Sequence, residues 1–193
     1  MGRLIYSAIA SLDLYTADAS GAFDWSVPSD EVHTFVNALE RGVGTFLYGR
    51  RMYEVMAGWE TIDDPAPVMR EFAAIWRAAT KVVYSRTLAD VWTERTTLSR
   101  TFDVDAVRAL KAGPEDVSVG GAGLAGVALA AGVVDEIQLF LSPVLVGGGT
   151  AALAPGLRCG LTLEDSRRFA NGVVYLRYSV GGALQTVPLG NDL

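Results

Sequence analysis

Twice in this chain a short, nearly apolar run ends in glycine and passes straight into helical spacing. The first is Thr45 to Tyr48, followed by Gly49 and then Met52, Val55, Met56 and Trp59. The second is Val117 to Val119, followed by Gly120-Gly121-Ala122-Gly123 and a helix expected from about Leu124 to Ala131. A continuous apolar run of this length suits a strand covered on both faces. A strand that leads into a helix rather than a tight hairpin must reach its neighbour by a crossover, which favours parallel pairing. The chain is therefore restricted to layered α/β architectures.

The rest of the sequence fits that restriction. Leu4, Ile5, Tyr6, Ala8 and Ile9 predict a buried first strand over Arg3 to Ala10, and Asp13 to Ser20 reads as a loop. Ser29 is a helix cap with Asp30 and Glu31 in the first turn, and Val32, Phe35, Val36 and Leu39 recur at helical spacing until Gly42. Pro65 and Pro67 punctuate a connection to a helix over Val68 to Ala79, which is followed by a strand from Lys81 to Ser85. Thr96 to Ser99 reads as a strand, Val104 to Leu110 as a helix, and Ile137 to Val146 as a long strand interrupted by Pro143. Leu161 to Phe169 and Val173 to Val180 read as an antiparallel hairpin about Asn171-Gly172. The expectation is one domain over residues 1–193: a three-layer α/β fold with a mixed, mostly parallel sheet and helices on both faces.

Composition narrows the function classes. The 193 residues carry 16 Lys and Arg against 22 Asp and Glu, a net charge of −6, which lacks the positive field that holds a nucleic acid or an anionic membrane. Cys159 is the one cysteine, so no internal disulfide is possible, and a reducing cytoplasm is the expected location. The apolar stretch from Val119 to Val134 is too short to span a bilayer and holds five glycines, and the N-terminus offers no targeting segment. His33, the one histidine, sits at a polar helix position and reads as a surface residue, so neither a Ser-His-Asp triad nor a Cys-His pair is suggested. Asp63-Asp64 and Asp135-Glu136 read as solvated chain ends, and no metal is expected.

The chemistry is concentrated at the strand-to-helix junctions. Free backbone N–H groups and the positive end of a helix dipole favour an anion at Gly49-Arg50-Arg51 and at Gly120 to Gly123, although tight turns also use glycine for steric reasons alone. Ser85-Arg86-Thr87 ends a third strand with hydroxyls and a guanidinium suited to phosphate, or with an ordinary solvated arginine. Neither the G-x-G-x-x-G fingerprint after the first strand nor a Walker A loop is present.

The ordered segments Tyr48 to Glu54, Val82 to Thr87, Val119 to Leu124, Val134 to Glu136, Ser142-Pro143-Val144 and Gly147-Gly148-Gly149 resemble the dihydrofolate reductase superfamily. Within it they resemble the riboflavin-biosynthesis reductase branch, the RibD C-terminal domain, over nearly the whole chain. The resemblance implies a sheet of about eight strands, NADPH as hydride donor, a small heterocyclic substrate and a homodimer. It places Gly49, Arg50 and Arg51 at the cofactor phosphates, Ser85 and Arg86 at the 2′-phosphate, and Gly120, Gly121, Ala122 and Gly123 at the pyrophosphate. It also places Ala8 and Ile9 at the nicotinamide carboxamide and Asp13 beside the substrate. Leu14 stands where the family often has glycine, and Met52 where many relatives have threonine.

Trp25-x-x-Pro28-x-Asp30 resembles the start of the substrate helix in true dihydrofolate reductases, so Trp25 and Asp30 are substrate candidates and Asp30 a candidate proton donor. An Asp in that first turn serves equally to favour the helix N-terminus. The implied activity is hydride transfer to a C=N or C=O bond, most directly in a ribosylamino-pyrimidine or a pterin. A nucleotide-binding relative without catalysis is the rival reading.

Overall fold

The computed structural model describes residues 1–63 and 66–181. Its elements in chain order are β1 (Leu4–Ser11), β2 (Tyr15–Ala17), α1 (Asp30–Glu40), β3 (Val43–Gly49), α2 (Arg50–Met56), α3 (Pro67–Ala78), β4 (Thr80–Tyr84) and β5 (Thr96–Ser99). They continue with α4 (Val104–Lys111), β6 (Asp116–Gly120), α5 (Ala122–Ala130), β7 (Glu136–Ser142), β8 (Thr150–Ala151), β9 (Leu161–Arg168) and β10 (Val174–Val180). Short 3-10 turns cover Asp24–Ser26 and Ala57–Glu60.

Eight strands form one sheet in the order β5-β4-β3-β6-β1-β7-β10-β9. The first six are parallel, and the β10–β9 hairpin is added antiparallel against β7. Side chains alternate across each strand, so the two faces build separate cores. Leu4, Tyr6, Leu47, Val117, Val119, Ile137 and Leu139 point to one face and pack with Val107 of α4 and Ala125 and Ala128 of α5. On the other face Phe46, Tyr48 and Val83 pack with Tyr53, Phe72 and Trp76, while Phe140 and Tyr175 pack under Val32 of α1. Each of these large buried side chains contributes on the order of 1.5–3 kcal/mol.

Local chemistry sets the ends of the elements. Ser29 Oγ accepts the Val32 N–H at 3.4 Å to start α1, and Asp103 accepts the N–H groups of Asp105 and Ala106 to start α4. Pro67 opens α3, where its missing N–H has no helical partner to lose. Pro143 follows the end of β7, so the strand expected to reach Val146 stops at Ser142.

Four expectations are corrected. The segment from Asp13 to Ser20 is not all loop, because Tyr15 to Ala17 pair antiparallel with Thr150 and Ala151. The helix expected from about Leu124 begins at Ala122. His33 is not a surface residue: its ring is buried against Trp59 and Phe72, and burial pushes its pKa down. Glu136 is not a solvated end either, since it is buried and accepts from Arg3 and Gln138, each at 2.7 Å. Asp64 and Pro65 lie outside the described residues.

Candidate functional site

Strand register brings the three junctions to one edge. In β3, Tyr48 stands opposite Gly120 of β6, and Gly49 stands opposite Tyr84 of β4. Gly49, Ser85 and Gly121 therefore emerge side by side at the carboxyl ends of neighbouring parallel strands, where open α/β sheets bind ligands. α2 leaves this edge over one face and α5 over the other. Neither Gly49 nor Gly121 supplies a capping side chain, so the first N–H groups of both helices keep no acceptor from their cap residues. In α5 the first helical bond is Ala125 N–H to Gly121 O, which leaves the N–H groups of Ala122, Gly123 and Leu124 ahead of it.

Two of these glycines are required by space and conformation. Gly121 has φ of +92°, and a Cβ there would stand 3.2 Å from Cβ of Met52. A Cβ on Gly120 would come within 2.7 Å of the Tyr48 ring. Met52 thus lies directly against the glycine turn and fills that space with an apolar side chain.

Cations flank the junctions. Arg50 donates to Glu54 at 2.7 Å and to Thr87 Oγ1 at 3.3 Å, tying α2 to the turn after β4. Arg51 and Arg86 are exposed and, among the described residues, engage no carboxylate. The Ser85 hydroxyl accepts from the N–H groups of Thr87 and Leu88 at 3.2 and 3.0 Å, so it shapes the turn that carries Arg86. Arg100, which no sequence motif singled out, donates to the carbonyls of Ser85 and Leu88 at 3.1 and 2.6 Å and holds that turn from the end of β5.

The pairing of β1 bears on the expected carboxamide contacts. β1 pairs with β6 only as far as Tyr6, opposite Val119, yet pairs with β7 through Ser11. Main-chain groups alternate along β1: Arg3 O takes the Val117 N–H on the β6 side, whereas Leu4 O takes the Asp135 N–H on the β7 side. Beyond Tyr6, Ile9 therefore turns its main-chain groups to the side on which β6 has ended and has no strand partner there among the described residues, whereas Ala8 turns toward β7, contrary to the expectation that both are available.

The substrate candidates separate. The Asp13 carboxylate accepts from Val146 N–H at 3.2 Å and Gly147 N–H at 2.7 Å, locking the glycine loop to the turn after β1. The Ser11 hydroxyl and these two N–H groups hold its carboxyl below the ordinary carboxylate range. Leu14 adopts φ of +65°, the left-handed conformation that a glycine would take more easily. The turn that carries Trp25 lies beside β1, and the buried indole N–H of Trp25 has no acceptor among the described residues. Asp30 is exposed on the outer side of α1, bordering a shallow depression with Thr34, Ala38 and Arg167 on the flank toward β9. The structure does not bring it to the β1 edge. Among the described residues no group of three or more His, Cys, Asp or Glu is placed to hold a metal ion.

A parallel sheet closed by an antiparallel hairpin, with its junction glycines gathered beside β1, defines the dihydrofolate reductase-like fold. Within that class, the family model for the RibD C-terminal domain matches residues 3–175, and the chain belongs to this family. It is 26% identical over 185 residues to the uncharacterized protein YyaP of Bacillus subtilis (strain 168), covering 93% of this chain and 96% of that protein. A protein of Shewanella sp. PV-4 provisionally assigned to riboflavin biosynthesis has a similar structure, with a TM-score of 0.75 at 23% identity over 93% of this chain and 99% of that one. A deaminase and 5-amino-6-(5-phosphoribosylamino)uracil reductase of Thermotoga maritima matches with a TM-score of 0.64 at 13% identity, over 93% of this chain but 56% of that longer one.

Proposed function

We propose that this protein is an NADPH-dependent reductase that delivers a hydride to a C=N or C=O bond of a small heterocycle. The observation that carries this reading is the convergence of Gly49, Ser85 and Gly121 on one sheet edge, flanked by the exposed cations Arg51 and Arg86. The residues fit a dinucleotide with a 2′-phosphate. The α5 N-terminus and the close-packed Gly120-Gly121 turn suit the pyrophosphate, and the Ser85 hydroxyl proton and Arg86 suit the 2′-phosphate.

When bound, the cofactor would supply the hydride. The protein's own part is positioning. Ile9 offers main-chain groups to hold a carboxamide beside β1, Asp13 fixes the loop next to it, and the Trp25 N–H offers a donor to the substrate. Asp30 has no part in this reading, because it is exposed on the flank of α1 that borders Arg167 of β9. Family membership supports a reductase acting on a pyrimidine-like ring, and the uracil reductase of Thermotoga maritima, which shares the fold, is one chemical precedent.

The reading extends to location and assembly. No helix among the described residues is long and apolar enough to cross a membrane, and the single exposed Cys159 suits a reducing cytoplasm. A homodimer is supported by β9, an edge strand exposed along all eight residues. Its Glu164-Asp165 and Arg167-Arg168 flank Ser166, so a two-fold copy would set unlike charges opposite each other.

The test is titration of the purified protein with NADPH and, in parallel, NADH. Saturable binding that prefers NADPH, with oxidation of the cofactor by a reducible pyrimidine or pterin, is expected. Binding without turnover of any such ring would favour a non-catalytic nucleotide-binding relative, and no binding of either cofactor would remove the reading.

A further inference from the structure

The two ends of the candidate site differ in charge. Cations crowd the β3 and β4 junctions, whereas residues 4–40 and 112–157, which include β1, the loops after β1 and β7, and the start of α1, contain no lysine or arginine. On the far side the cations belong to the β9–β10 hairpin and, at Arg158, to the connection from β8 to β9 that ends beside Gly181, at the opposite end of the sheet. Arg177, Arg167 and Arg168 stand two or three strands from β1, roughly 10–14 Å at the usual strand spacing. Arg167 is further engaged by Glu31 and lies over Phe35 and Phe169.

Backbone groups do not make up for this lack. A glycine loop and a helix N-terminus are the usual cation-free anion sites, and both are present at this end. Each already carries carboxylates of the chain. Asp13 takes the N–H groups of Val146 and Gly147, at the start of the glycine loop. Asp18 takes those of Ser20 and Ala22, and Glu31 takes that of Ala170. The first turn of α1 holds the Ser29 cap together with Asp30 and Glu31. What these segments expose instead is apolar: Leu12, Leu14, Phe23, Val27 and Leu145 all stand in solvent.

We infer that the substrate reduced at this edge carries no phosphate ester and is a neutral or cationic heterocycle held by apolar contact and few polar groups. This rests on the reductase reading and departs from the phosphoribosylamino-uracil of the Thermotoga maritima reductase. A phosphate entering here would meet the carboxylates of Asp13 and Asp18, which pair with no guanidinium or ammonium among the described residues, while the one guanidinium on the α1 flank, that of Arg167, is already engaged by Glu31.

The test uses the full chain. NADPH binding is measured first. The NADPH-saturated protein is then titrated with 5-amino-6-(5-phosphoribosylamino)uracil and with the same compound lacking its phosphate, and with riboflavin 5′-phosphate and riboflavin as a second matched pair. Binding by calorimetry and, for the pyrimidines, kcat/KM for NADPH oxidation should favour the phosphate-free member by about tenfold or more, the size of one lost charge-assisted contact. Leu145→Arg, at an exposed position, should narrow that preference. Equal or tighter binding of the phosphate esters, or failure of all four compounds to bind while NADPH binds, overturns the inference and leaves the cofactor reading standing. Failure to bind NADPH removes both.

Discussion

Asp13 Oδ2 accepts the backbone N–H of Gly147 at 2.7 Å, joining the turn after β1 to the glycine loop after β7. The same carboxylate reaches Val146, and β2 and β8 pair just beyond, so the two loops are tied to each other beside β1. Asp13→Ala should raise KM for the reducible substrate and speed amide exchange at Val146 and Gly147, by about tenfold for a local opening of this kind. NADPH affinity should hold, because no junction residue touches this clamp. A large loss of NADPH binding with unchanged amide exchange would contradict the assignment. The folded carboxyl lies below its ordinary range, so the clamp is complete above the unfolded carboxylate pKa and is lost as pH falls through the lower folded value.

Gly121 tests the opposite end of the site. With φ of +92° and Cβ of Met52 only 3.2 Å from where its own Cβ would stand, Gly121→Ala should cost about 1–3 kcal/mol of stability. It should also weaken NADPH, because relief of the strain moves the N–H groups at the start of α5. Urea unfolding and NADPH titration of the same preparation measure both effects. An alanine variant with an unchanged midpoint would mean that this backbone conformation is not strained.

Arg51 and Arg86 separate the cofactor phosphates from the rest of the dinucleotide. A hydrogen bond to a charged group contributes about 1.5–3 kcal/mol, roughly ten- to a hundredfold in affinity. Arg86→Ala should therefore weaken NADPH by that factor while NADH changes little. Arg51→Ala should follow the same pattern if it shares the 2′-phosphate, and should weaken both cofactors equally if it meets the pyrophosphate. Isothermal titration of the four protein and cofactor pairs decides between these outcomes, and equal losses for both cofactors in Arg86→Ala would remove Ser85-Arg86 from the 2′-phosphate role.

The legible part of this molecule was local. Strand, glycine and helix at β3–α2 and β6–α5 were readable because apolar period and glycine position are written in consecutive residues. The β2–β8 pair was not readable, since it is two or three residues long and its partners lie at opposite ends of the chain. His33 was misread because a polar residue type at a polar helix position gives no hint that Trp59 and Phe72 will close over it. Glu136 was misread for the same kind of reason, as Arg3 reaches it only once β1 and β7 pair. The Asp13 clamp and the Arg100 brace depend on loops meeting across the sheet edge, which no spacing along the chain encodes.

Glu40 gives a pH test of the fold. It is buried in the last turn of α1 near Tyr48, its Oε2 has no hydrogen-bond partner among the described residues, and burial pushes its pKa from 4.5 up to about 7. Between those values the folded protein holds a proton that the unfolded chain has released, so stability falls as pH rises through this window. The loss should amount to about 3 kcal/mol by pH 8, at ~1.4 kcal/mol per pKa unit. Glu40→Gln should flatten the dependence and be the more stable form at pH 8, as read by urea unfolding at pH 5, 6, 7 and 8. A wild-type curve that rises over this range would show that another group dominates.

The exposed edge of β9 makes a last, separable prediction. If a two-fold copy pairs there, Glu164 faces the partner's Arg168 and Asp165 the partner's Arg167, and reversing one charge sets like charges opposite at both symmetric positions. Arg168→Glu should therefore shift sedimentation toward the monomer, and Glu164→Arg should do the same. The combined Glu164→Arg, Arg168→Glu chain restores unlike pairs and should recover the dimer, which separates the pairing from any general effect of charge on β9. Both positions are exposed at the sheet edge, away from the two cores, so NADPH binding should persist in all three variants and report that each is folded. A wild-type protein that sediments as a monomer at micromolar concentration, or single variants that remain dimeric, would place the subunit contact elsewhere or remove it.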